Sequence, residues 1–85
     1  MRLPLIKHIN GFITENDADF VEEAIQVLEH ISESKGIKDE ELDVIGELLS
    51  NLYGALEVNK SIREGTPEKE ALNSFMSRVL GSIDQ

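Results

Sequence analysis

The side chains in this 85-residue sequence with the potential for chemistry are two histidines, seventeen carboxylates and a scatter of serines. A di-metal centre in a helical bundle requires inward-facing Glu residues together with Glu-x-x-His pairs. His8 has Leu5 three positions before it and His30 has Val27, so that pairing fails at both histidines. Asp43 and Glu47 share a helix face but lie among other acids, as a solvated surface that could hold a divalent cation only loosely. With no Cys there is no thiol nucleophile, no cysteine metal site and no disulfide framework. No glycine-rich phosphate loop occurs and no Ser has nucleophile-elbow spacing. His8, beside Lys7 on a short amphipathic stretch, reads as a surface histidine. The expectation is no catalytic residue, no metal and no cofactor.

Charge narrows the partners. Eight basic residues against seventeen acidic ones give a formal net charge of −9, which argues against nucleic acid and against an anionic membrane. Twelve acids fall between residues 15 and 47, opposed only by Lys35 and Lys38, whereas residues 1–14 carry Arg2 and Lys7 and no acid. The acids bunch at helix starts (Asp17, Asp19, Glu22, Glu23; Asp39, Glu40, Glu41, Asp43), and Lys35, Lys60 and Arg63 sit near helix ends. This is the distribution the helix macrodipole favours. A basic protein partner for the acidic stretch is the sharper reading of the same pattern. No apolar run approaches the ~18 residues that span a bilayer, and Met1-Arg2-Leu3-Pro4 does not open a secretory segment. A soluble, cytoplasmic single domain over residues 1–85 is expected.

The elements that position these groups are helical. Leu5, Ile6, Ile9, Phe12 and Ile13 recur at helical intervals after Pro4, and this first, short helix ends near Glu15. Asn16 or Asp17 caps a second helix with Phe20, Val21, Ala24, Ile25, Leu28 and Ile31 on one side, ending at Gly36. A third runs from about Asp39 to Glu64. With Lys38 at its cap, Glu41 falls three residues on and Ile37 can staple against Leu42. Gly65 ends it, and Thr66-Pro67 opens a fourth helix whose buried side is Ala71, Leu72, Phe75, Met76, Val79, Leu80 and Ile83. No strand pattern occurs. The fold class is all-α, a small bundle of three long helices plus a short N-terminal one.

The third helix carries more apolar surface than three neighbours would cover. Leu42, Ile45, Leu49, Leu52 and Leu56 follow 3-4-3-4 spacing with Asn59 next, about two and a half heptads. Such a seam could be the core-facing stripe of a four-helix domain or a pairing surface between two chains. Gly46, Ser50 and Gly54 form a small-residue row that permits close helix approach, although each Gly costs ~1 kcal/mol relative to Ala. Leu48, Tyr53 and Ala55 add apolar surface on other sides. A chain this short buries only ~60–65% of its unfolded surface. The pattern predicts a homodimer, or a higher homo-oligomer, packed around Leu42, Ile45, Gly46, Leu49, Ser50, Leu52, Tyr53, Gly54, Leu56, Asn59 and Ile62. Leu49→Ala is expected to cost ~2–5 kcal/mol if that site is fully buried.

Two resemblances follow from these residues. The run from Gly36 to Asp84, with LPLIKHI at Leu3–Ile9 and ITENDADFVEEAIQVLE at Ile13–Glu29, resembles a family of short acidic bacterial proteins of unknown function. It implies no activity and no site residue. More partially, the layout from Gly36 to Phe75 is similar to the helical unit of the alkylhydroperoxidase D and carboxymuconolactone decarboxylase group. The Cys-x-x-Cys pair and His of those peroxidases have no counterpart between Ser50 and Glu57, so no thiolate is present to attack a peroxide. That resemblance implies a cysteine-less relative with a polar pocket near Ser50, Tyr53, Glu57 and Asn59. The preferred expectation is a non-enzymatic, self-associating interaction module. The alternative is the small enzyme with that pocket, which would shield Glu57 from water.

Overall fold

The computed structural model describes the backbone of residues 2–83 and the side chains of residues 2–79. Four helices follow one another: α1 (Leu3–Glu15), α2 (Ala18–Ser32), α3 (Asp39–Arg63) and α4 (Glu68–Ile83). No strand occurs among the described residues. α1 has 13 residues against 15 and 16 for α2 and α4. The bundle is therefore one long helix of 25 residues with three of similar length, not three long helices and a short one.

Local chemistry explains most boundaries. Pro4 occupies the first turn of α1, where a missing N–H costs nothing. The Asp17 side chain caps α2 by accepting from the backbone N–H of Asp19 at 3.0 Å. At the start of α3, Glu41 Oε1 accepts from the Lys38 backbone N–H at 2.9 Å, the returning half of a capping box. Gly65, with φ of +109°, closes α3 and is the one described residue with positive φ. The end of α2 departs from the expected boundary. The helix stops at Ser32, four residues before Gly36, and Gly36 does not adopt the left-handed conformation. Serine hydroxyls take over there: Ser32 Oγ donates to the Glu29 carbonyl at 2.6 Å, and Ser34 Oγ accepts from the Gly36 N–H at 3.1 Å.

α3 is the axis on which the others pack. The Arg2 N–H donates to Asn51 Oδ1 at 2.9 Å, and eight residues further along each helix Asn59 Nδ2 donates to Asn10 Oδ1 at 3.1 Å. The constant offset means that α1 runs parallel to α3, along its second half. α2 runs antiparallel to α3, with Glu29 level with Tyr53 and Ala18 beside Leu56 and Arg63. α4 crosses residues 54–61 with Ala71, Ser74 and Phe75. The core they enclose comprises Ile6, Ile13, Val21, Ile25, Ala55, Val58, Ala71, Leu72 and Phe75. Leu49, Leu52, Leu56 and Ile62 pack against its margin and stay half-buried. Leu49→Ala is accordingly expected to cost less than the ~2–5 kcal/mol of a fully buried leucine. Leu80 and Ile83 lie outside the described side chains. The radius of gyration, 13.8 Å, exceeds the about 12 Å of a compact chain of this length. The extents of 43 × 35 × 17 Å show why: the bundle is flat, and the first half of α3 projects past α1.

Candidate functional site

Three of the four expected pocket residues come together. Ser50, Tyr53 and Glu57, one α3 turn apart, line an open groove of 330 Å³ with Gly54, Phe75, Arg78 and Val79. Asn59 is elsewhere, turned by the helical period towards α1, where it is buried against Asn10. Two of the groove's polar side chains pair with each other and a third is held from outside it. Glu57 is ion-paired with Arg78 and half-exposed, so it is not shielded from water. The Arg78 guanidinium lies 5.5 Å from the centre of the Phe75 ring. The Tyr53 hydroxyl donates to Glu29 Oε2 at 2.9 Å. That hydrogen bond, with lesser contributions from desolvation and the Glu29 charge, holds the phenol above its usual 10.0. Among the described residues no three His, Cys, Asp or Glu side chains gather where they could hold a metal ion. His8 and His30 are both exposed, on different helices.

The residues expected at a packing interface divide by position along α3. In the second half, Gly54 is enclosed by its own chain: a Cβ there would meet Phe75 Cζ at 3.0 Å and Ile6 Cδ1 at 3.1 Å. The close approach that this glycine permits is to α1 and α4. Gly46, in the first half, faces open space. Heptad spacing makes the contrast sharper. Val44, Asn51 and Val58 form one row along α3, and Leu48, Ala55 and Ile62 the next. Asn51, Ala55 and Val58 are almost completely buried, whereas Val44 is 58% exposed and Leu48 40%. The cover stops because α1 begins level with Asn51, where Arg2 is tied by its N–H and, through Nε, by Glu47 at 3.7 Å. Leu42 and Tyr53 are exposed as well, while Ile45 is buried. Of the seam itself only Leu42 is exposed; Val44 and Leu48, on another face of α3, and Tyr53 are the further exposed apolar positions of the helix.

A second apolar row was not separated by sequence reasoning. On α2, Val21, Ile25 and Leu28 turn inward, but Phe20, Ala24 and Ile31, expected on the same side, are exposed together with Val27. Phe12, on α1, also faces solvent and meets Phe20 edge-on, with ring centres 5.9 Å apart. The signal was present in the sequence: residues 20, 24, 27 and 31 have their own 4-3-4 spacing, displaced by one residue from the core row.

Sequence reasoning also missed the partner of Asn59. Asn10 and Asn59 form a buried amide pair between α1 and α3, and Asn10 Nδ2 has no partner. An unsatisfied buried donor costs stability.

Residues 1–84 match the model of a family of unknown function, DUF6952. The chain belongs to that family. The match supports the first of the two resemblances and carries no activity with it. No curated protein and no solved structure matches the chain, and the likeness to the alkylhydroperoxidase D group finds no support. No helix among the described residues is long and apolar enough to cross a membrane.

Proposed function

We propose that this member of DUF6952 is a self-associating helical module that acts by binding protein, and that two copies pair through the first half of α3. One observation carries the reading: the two α3 rows that α1 and α4 cover from Asn51 onwards continue towards the N-terminus as exposed Val44 and Leu48. Leu42 and Gly46, also exposed, lie on the other side of α3 at about 100° per residue, so the pairing surface is the Val44–Leu48 face alone. The pairing is thereby narrowed from residues 42–62 to the face of Val44 and Leu48, since the chain's own α1, α2 and α4 pack along most of the rest. The groove at Ser50, Tyr53 and Glu57 supports no reaction on this reading, because Glu57 is paired with Arg78 and the Tyr53 hydroxyl with Glu29.

The test is a variant in which Val44 and Leu48 are both replaced by Glu. Both sites are exposed, so helicity by circular dichroism should be retained. Light scattering should then report the single-chain mass where the parent protein reports twice that mass. An unchanged mass would remove these residues from the interface.

A further inference from the structure

α2 has two apolar rows and uses one of them within the fold. Phe20, Ala24, Val27 and Ile31 form the other. At about 100° per residue they lie roughly a quarter-turn from the core row and extend over ~16 Å, three helical turns. Phe20 is 56% exposed and Val27 59%, and the edge-on contact of Phe12 with Phe20 extends the strip onto α1. An exposed row with i, i+4, i+7, i+11 spacing is the complement of the apolar ridge of an amphipathic helix.

The surrounding charge selects the occupant. Between Ile9 and Ser34 the chain has seven acids and no Lys or Arg. Asp19 and Glu23 precede Phe20 and Ala24 by one residue, so they form the acidic line at the solvent edge of the row. A second copy of this chain placed on the strip would bring the same carboxylates against these, and like charges in apposition oppose association. A helix with Lys or Arg beside its apolar ridge would instead place its cations against Asp19 and Glu23 while their alkyl stems cover Phe20 and Val27. We propose that the outer row of α2 docks a basic amphipathic helix of a different protein. The row includes no residue of α3, so the proposal stands or falls separately from self-association.

The probe is a fluorescein-labelled Ala-rich peptide of about 18 residues, a length and composition that favour helix in water, with Leu at i, i+3, i+4 and i+7 and Lys on the flanks of that ridge. Anisotropy is read at low and moderate salt against the intact 85-residue chain, with a shuffled peptide of equal composition as control. The amphipathic peptide should bind and the shuffled one should bind much more weakly. Val27→Glu adds negative charge while removing apolar surface, so binding by charge alone predicts tighter binding and docking on the row predicts a loss of about tenfold. Phe20→Ser should weaken binding similarly, with helicity checked for each variant. Glu23→Gln should weaken binding less and flatten its salt dependence. Equal binding of the shuffled peptide, or undiminished binding by Val27→Glu, would overturn the proposal.

Discussion

The two halves of α3 share one apolar period and have opposite surroundings. From Asn51 to Ile62 the helix is enclosed by α1, α2 and α4, and its glycine at position 54 sits against Phe75 and Ile6. From Asp39 to Ser50 only Ile45 is buried, and Gly46 meets nothing. The difference lies outside α3 itself. α1 starts level with Asn51, and the same Val/Leu rows that form core beyond that point are left facing water before it. An apolar row thus acquires its role from the neighbour that covers it, and a helix longer than its neighbours has a role left over.

Truncation should expose this difference most strongly. Phe75→Ala, which removes the ring seated over Gly54, is expected to cost ~3–5 kcal/mol in denaturant unfolding. Val44→Ala, at concentrations dilute enough to keep the chain single, should stay within ~0.5 kcal/mol. Similar costs at the two sites would mean that the first half of α3 is covered within one chain.

The buried amides sharpen the account of the second half. Asn59→Leu leaves the Asn10 side chain with no partner at all and should cost ~1–3 kcal/mol. Replacing Asn10 and Asn59 together by Leu should recover most of that loss, because neither polar group is then stranded. A double variant as unstable as the sum of the singles would show that the pair is not coupled.

Much of this was legible in the sequence, and the rest has a physical explanation. Asp17, Lys38-Glu41 and Gly65 mark boundaries through local bonds that depend on a few adjacent residues, so residue type is enough to place them. Gly36 misled because Ser32 and Ser34 ended α2 first, and a local competition of that kind is not resolved by counting breakers. Phe20 and Ile31 fit the core row by spacing and yet face solvent, since apolar spacing identifies what could be buried and not what is. Asn59 lies on the α3 seam, but its burial depends on Asn10, forty-nine residues away, and no periodicity within either helix reveals that pairing. The groove at Glu57 failed as a shielded pocket for the same reason: Arg78 reaches it from another helix.

The glycines offer a smaller contrast. Gly46→Ala has open space for its methyl and should stabilise the chain by up to ~1 kcal/mol through helix propensity alone. Gly54→Ala must displace Phe75 and Ile6 and should forfeit that gain. Thermal unfolding of the two variants side by side reads the difference, and equal gains would contradict the close packing at Gly54.

Tyr53 gives the finest probe, since it is the single tyrosine in a chain without tryptophan. Its ultraviolet titration should have a midpoint above 10.0, and Glu29→Gln should move the midpoint back towards that value. The raised value means that the folded chain holds this proton more tightly than the unfolded chain does. The associated stability is complete below the ordinary tyrosine range and is lost as pH rises through the raised midpoint. A midpoint unaffected by Glu29→Gln would dissolve the contact that joins the last turns of α2 to the middle of α3.

On the proposed pairing, another copy covers what α1 leaves bare on α3. Sedimentation equilibrium of the unmodified protein at tens of micromolar tests it directly. A species of twice the 9.5 kDa chain mass is expected; a single species at the chain mass would rule the pairing out.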